Sequence, residues 1–365
     1  MALIVQKYGG SSVATPDKIR DLARRIVARH DGGDQVVVVV SAMGKSTDAL
    51  VAQARELAQR PDPREMDMLV SAGERISIAM MSIAINGIRA GLAVSFTGSQ
   101  IGLITDCNHG DARVLEIRGD RLREALDQGR IAVVAGFQGV STQREITTLG
   151  RGGSDTTAVA VAAALEADVC EIYSDVDGVY TSDPRLAPSA RHLDKVDYDT
   201  MLEMSAAGAK VLKDDAVEYA RRLGVRIAAG SSSSGLIGTI VSSESLNRDT
   251  LQAMVYNDRL RWIAFDAGVP LPPDCRLCQS VEGRSVVVVD EKHAEAMEGV
   301  PCVSLSLIGA RVAAQRERVG AVLSQLEAAG NRVLAISSTA SKYEIFLEDP
   351  LSASLVATIH DLLFT

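Results

Sequence analysis

The chain is poor in the side chains that build disulfide frameworks, metal centres and nucleic-acid interfaces. Its five cysteines (Cys107, Cys170, Cys275, Cys278 and Cys302) are an odd number scattered over 365 residues, which suits reduced thiols and not a disulfide-bonded scaffold. Cys275 and Cys278 make half of a zinc site, but no second pair and no nearby histidine completes it. The five histidines, His30, His109, His192, His293 and His360, have no partnering acid at useful spacing and read as surface or packing residues. Basic residues are outnumbered 38 to 47, and the formal net charge of −9 argues against nucleic acid as the main partner. No run reaches the length of about 18 apolar residues that a membrane span needs, and the opening MALIVQKYGG lacks a cleavage pattern, so a cytoplasmic protein with no membrane partner is expected.

What is present is ordinary globular material, 47% hydrophobic and 23% charged. A length of 365 residues predicts two or three domains. Strand, polar loop and helix alternate through about residue 245, the pattern of a mainly parallel sheet sandwiched by helices. Ala2 to Gln6 is a strand running into Lys7-Tyr8-Gly9-Gly10-Ser11-Ser12, and Thr15-Pro16 opens a helix. The lysine precedes the glycines, so this is not a Walker A loop. Gln35 to Val40 reads as a strand buried on both faces, ending in Ser41-Ala42-Met43-Gly44. Ser71-Ala72-Gly73-Glu74 opens an apolar helix, with a charged residue at its mouth. Residues 97–110 read as an irregular polar segment.

The central stretch is Ile146 to Ala158, ITTLGRGGSDTTA, between the strand Ile131 to Phe137 and a helix to Leu165. Helix N-termini offer free N–H donors and partial positive charge to anions. Arg151 can grip a carboxylate through two hydrogen bonds, and Gly152 and Gly153 allow close backbone approach. Taken alone the loop is equally well a glycine turn capped by Ser154 or Asp155. Further on, Tyr173-Ser174-Asp175-Val176-Asp177-Gly178-Val179-Tyr180 is a strand breaking into an acidic turn that could serve a metal, a ribose or an adenine ring. It lacks the twelfth-position glutamate of a calcium loop. From Val303 onward strand, helix, strand, strand, helix predicts a small ferredoxin-like α+β unit, with the domain boundary at residues 245–257.

Together these stretches, with Gly136-Phe137-Gln138-Gly139 and Gly208-Ala209-Lys210, resemble the aspartokinases of the amino acid kinase family over about residues 1–245. The resemblance implies a kinase domain at 1–245 and an ACT-type regulatory and dimerisation region at 246–365, its second unit at about 303–365. It implies phosphoryl transfer from ATP, with Mg²⁺ carried mainly on the phosphates, to the side-chain carboxylate of L-aspartate. It assigns Lys7, Asp155 and Lys210 to catalysis, and Ser41, Glu74, Phe137, Arg151, Gly152 and Ser154 to the amino acid. Lys7, Gly9, Gly10, Ser11, Ser174, Asp175, Tyr180, Arg185 and Lys210 go to the nucleotide. A homodimer through the ACT region is implied as well.

Two departures qualify this. Where many members have His-Pro-Arg, this chain has Lys213-Asp214-Asp215, two carboxylates that either cap a helix or repel the triphosphate. From Leu251 to Met297 the effector loop Asp-x-Pro-Gly and its helix cannot be found, and Pro270-Leu271-Pro272-Pro273 stands there instead, which implies reduced feedback by lysine or threonine. Two alternatives stay open: a divergent homologue of a specialised pathway acting on a related acid, and a weakly active amino-acid-binding regulatory subunit.

Overall fold

The computed structural model describes every residue except 151, 210, 245–250, 267–271, 273–274, 282–283, 292–293, 295–297 and 365. The chain forms two compact units, one of residues 1–179, 194–198 and 211–244, the other of residues 180–193, 199–210 and 245–365.

The first unit is built on an eight-stranded sheet. Its order is Lys195–Asp197, Ile237–Ser242, Ile227–Ser231, Val169–Ser174, Leu3–Tyr8, Gln35–Val40, Ile131–Ala135, Ala93–Phe96. All neighbours are parallel except the pair Ile227–Ser231 and Ile237–Ser242. The runs VVVVV and IAVVA are buried end to end because helices cover both faces, which is why neither shows alternation. On one face Tyr8, Val36, Val38, Val40 and Val133 pack under the helices Pro16–Asp31 and Ala72–Ile88. Residues alternate along a strand, so Lys7 points to the other face, where the helix Gly153–Leu165 lies. Together the helices Pro63–Val70 and Ala72–Ile88 are long and apolar enough to meet the length and composition of a membrane span. Half of that window is buried, with Ile78, Met81 and Ile85 in the core.

A second, four-stranded sheet was not legible in the sequence. It joins Val114–Ile117, Leu103–Thr105, Gln138–Ser141 and Ile146–Thr148. The stretch 97–110, expected to be irregular, thus contributes one strand. Strands of three or four residues are too short to display a period of two.

The second unit carries a six-stranded antiparallel sheet in the order Leu277–Val281, Arg284–Asp290, Leu251–Asp266, Val300–Gly309, Lys342–Leu347, Val333–Ser338. With helices Arg316–Ala328 and Ala353–Phe364 this supplies the expected strand, helix, strand, strand, helix succession. The helices pack over Met254, Leu305, Leu307, Ile345 and Leu347. Between residues 251 and 300 the described residues include no α-helix. Of the proline stretch only Pro272 is among the described residues. The 16-residue strand Leu251–Asp266 eluded the sequence reading because its register shifts between Asn257 and Leu260, which breaks the alternation midway. On the sheet face away from the helices, buried Glu344 lies 3.3 Å from Lys342 Nζ and 3.5 Å from Arg276 Nη1.

Candidate active site

Four strands of the first unit deliver their carboxyl ends, Tyr8, Val40, Ala135 and Ser174, to one edge, the side on which open α/β sheets hold ligands. Lys7 is the penultimate residue of its strand, and its Nζ lies 2.7 Å from Asp155 Oδ1 in the first turn of the helix Gly153–Leu165. Both side chains are about nine-tenths buried, at 11% and 10% exposure. A charge pair so enclosed is costly unless each member has its partner, so the two hold each other in one place.

Around this pair the backbone closes in. A Cβ on Gly9 would stand 3.5 Å from Lys7 Nζ. The Gly9 carbonyl accepts from the amides of Ser12 and Val13 at 2.9 and 3.3 Å, forming a tight turn. Ser11, at the exposed crest, accepts from Lys18 Nζ through its carbonyl at 2.8 Å. Gly10 must be glycine: a Cβ there would be 2.7 Å from the Ala42 carbonyl oxygen. The Gly44 amide donates to the Gly10 carbonyl at 3.0 Å, and the Ser41 amide to the Tyr8 carbonyl at 3.1 Å. The two glycine-bearing loops are thereby stitched together.

Glu74 sits at the mouth of its helix, 3% exposed, and its Oε1 accepts from the Ala42 amide at 3.0 Å. Its Oε2 is buried and has no hydrogen-bond partner among the described residues. Loss of solvent pushes the carboxyl up to about 7, against the smaller opposing effect of the Ala42 amide. The group is suited to receive a cation.

Phe137 adopts the left-handed region at φ 69°, a strained conformation for a bulky residue. It is held by a hydrogen bond from its amide to Thr157 Oγ1 at 3.0 Å and by one from the Leu149 amide to its carbonyl at 2.9 Å. Ser154 is buried against Gly136, where a Cβ would be 2.6 Å from its Oγ. Gly152, at φ 84°, is the N-cap of the helix that carries Asp155, and a Cβ on it would be 2.4 Å from Lys213 Cγ. Lys213 is itself the N-cap of the helix Asp214–Leu223. Asp214 and Asp215 therefore fill the first turn, where negative charge complements the helix dipole, and neither is the capping residue.

On the nucleotide side of the sequence assignment, Ser174 ends its strand and its Oγ accepts from the Val176 amide at 3.3 Å, while Asp175 is exposed. Tyr180 and Arg185 belong to the second unit. There Tyr180 meets His192 edge to face at 5.2 Å, and Arg185 makes a two-pronged pair with Asp183 at 3.0 and 2.7 Å. Arg151 and Lys210 lie outside the described residues.

Thr157, which accepts from the Phe137 amide, is a residue that sequence reading missed, and the flanking glycine motif was the available signal. His109, expected as a surface or packing residue, donates from Nδ1 to the buried carboxylate of Asp67 at 2.7 Å. These two residues are 42 positions apart, and no spacing rule reveals them.

The family model described as "Amino acid kinase family" matches residues 2–228. An aspartokinase of Mycolicibacterium smegmatis is 56% identical over 277 residues, covering 75% of this chain and 66% of that protein. The curated relatives are matched over 57 to 66% of their length, so the chain spans two thirds of them or less. Among solved structures, the aspartate kinase of Synechocystis is 35% identical with a TM-score of 0.61, covering 99% of this chain and 68% of that one. Aspartokinase III of E. coli, solved with aspartate and ADP, has a TM-score of 0.81 over 100% of both chains at 22% identity, which speaks to the fold alone. The chain belongs to the amino acid kinase family, where its sequence similarity lies with the aspartokinases.

Proposed function

We propose that this protein transfers the γ-phosphoryl group of ATP to the β-carboxylate of L-aspartate, giving β-aspartyl phosphate. The observation that carries the reading is the buried Lys7–Asp155 pair, 2.7 Å long, between glycine loops at the carboxyl edge of a parallel sheet. Aspartokinase III of E. coli, of the same fold, holds aspartate and ADP.

A free aspartate side chain has a pKa of about 3.9, so the nucleophile is ionised without a base and catalysis reduces to positioning and charge neutralisation. A carboxylate oxygen forms a bond to the γ-phosphorus while the bond to the bridging oxygen breaks, and ADP leaves with that oxygen. Lys7, fixed by Asp155, offers positive charge to the phosphoryl oxygens, and the amides of Gly9 and Gly10 offer donors. Lys210 adds a second charge on this reading. Glu74 Oε2 receives the α-ammonium, Arg151 grips the α-carboxylate, and Ser41, Phe137, Gly152 and Ser154 shape the pocket. Ser11, Ser174, Asp175, Tyr180 and Arg185 serve the nucleotide. On this reading Mg²⁺ would be held mainly by the nucleotide phosphates, where it would neutralise charge.

The kinase domain on this reading is 1–245. The remainder is an ACT-type region that joins two copies of the chain and, with its first unit shortened, responds weakly to lysine or threonine. Strong inhibition by either amino acid at sub-millimolar concentration would overturn the last point. A net charge of −9 fits small-molecule work in the cytoplasm without nucleic acid or membrane. Hydroxamate trapping of the acyl phosphate across a panel of amino and carboxylic acids tests the whole: aspartate should give the highest kcat/KM. A different preferred acid would instead make the chain a divergent homologue, and no acyl phosphate with any acid a regulatory subunit.

A further inference from the structure

Asp67 lies on the helix Pro63–Val70 and is 1% exposed, yet every acceptor position on its carboxylate is used. Oδ1 accepts from the Gly110 amide at 3.1 Å and from Thr148 Oγ1, and Oδ2 accepts from His109 Nδ1 at 2.7 Å and from the Gly110 amide at 3.2 Å. One carboxylate thus ties together a helix, the segment 108–112 and the end of the strand Ile146–Thr148. The same segment is fastened twice more to the chain just before Arg151. The Ala112 amide donates to the Thr148 carbonyl at 2.9 Å. Asp111 Oδ1 lies against Gly150, where a Cβ would be 2.5 Å away and φ is 71°. Arg64, on the same helix as Asp67, pairs with Glu145 at 2.9 Å at the far end of that strand.

Packing alone would be served as well by an apolar side chain, because a buried charge costs more than it returns unless its geometry is needed. What a fully bonded carboxylate supplies is direction: three donors, one of them shared between both oxygens, fix three segments at definite angles. The His109 ring, 20% exposed, closes the solvent side of the cluster and donates to it.

We propose that Asp67 and His109 are positioning residues for the stretch Thr148–Gly150, which leads directly into Arg151, the residue assigned above to the acceptor's α-carboxylate. This rests on the functional reading above. Neither residue touches the reacting atoms, and both act through Thr148 and Gly150.

Steady-state kinetics on His109→Ala, His109→Asn and Thr148→Val, beside hydrogen exchange of the peptide spanning 146–152, decide the matter. Loss of one charge-assisted hydrogen bond should raise the aspartate KM about tenfold in His109→Ala with the ATP KM unchanged. Amides of Thr148 to Gly152 should exchange faster. An asparagine amide can stand where Nδ1 stands, so His109→Asn should recover most of both effects. A purely structural role predicts lower thermal stability with the aspartate KM and the ATP KM moving together, and that result overturns the proposal, as does unaltered exchange over 148–152. Should wild-type protein not phosphorylate aspartate at all, the functional reading fails on its own, and the exchange data still decide whether the pair holds the loop.

Discussion

Glutamine at position 74 changes one charge and almost no volume, and the consequences run in opposite directions for stability and for binding. Burial lifts the Glu74 carboxyl from 4.5 to about 7, so the folded state prefers the protonated form. The stability this group contributes is fully present below pH 4.5 and is lost as pH rises through about 7. A shift of that size corresponds to about 3 kcal/mol at 1.36 kcal/mol per pKa unit. Glu74→Gln keeps the acceptor for the Ala42 amide and does not titrate, so above pH 7 it should be more stable than the wild type by up to that amount. Acceptor binding goes the other way. An α-ammonium beside Oε2 stabilises the ionised form, so binding expels a proton and the wild-type aspartate KM should fall as pH rises toward 7. In Glu74→Gln that dependence disappears. At about pH 8 its aspartate KM should stand about 10- to 100-fold above wild type, the range expected for a lost charge-assisted hydrogen bond. Urea unfolding at pH 5 and 8 with aspartate and ATP kinetics over the same range measures all of this. A wild-type aspartate KM that is flat across the range, or a variant in which the ATP KM rises as far as the aspartate KM, refutes the reasoning.

Asp155→Asn removes the counter-charge that fixes Lys7, and kcat should drop by about 10²–10³ while the aspartate KM changes little, as steady-state kinetics on a variant of unchanged circular dichroism would show. Glu344→Ala removes one carboxylate from Lys342 and Arg276, which keep Glu203 at 3.7 Å and Asp290 at 3.1 Å, and the lost charge–charge contacts should cost the second unit about 1.5–3 kcal/mol. Glu344→Met, which refills the volume and leaves the Arg276–Asp290 pair intact, should recover much of that loss in denaturant unfolding, and an equally destabilised Met variant would contradict the assignment.

The parallel core of this protein was legible because its physics is local. A run such as Gln35 to Val40, short and with five consecutive β-branched residues, reads as a strand buried on both faces, and the glycine-bearing loops after Tyr8 and Val40 fall at strand ends by chain order alone. Gly10, Gly136 and Gly152 announced themselves by residue type, and the structure supplies the reason at each: a backbone carbonyl, a serine side chain or a lysine stem within 2.7 Å of where a Cβ would be. The small four-stranded sheet and the bulged strand Leu251–Asp266 were not legible, since in one the strands are too short to show a period and in the other the period slips.

The sequence by itself determined the kind of site: residue types and their order put a lysine, a glutamate and an aspartate beside glycine loops. Tertiary structure decided which of them are charged, paired or poised. Lys7 and Asp155 become a pair only because neighbouring residues of a strand face opposite sides and one helix packs on the lysine's side. Glu74 acquires a carboxyl that titrates at about 7 only because its helix mouth is buried beneath a loop 32 residues away. Asp67 and His109 meet only through folding, since desolvation and long-range hydrogen bonds depend on what surrounds a side chain, and a sequence records only what precedes and follows it.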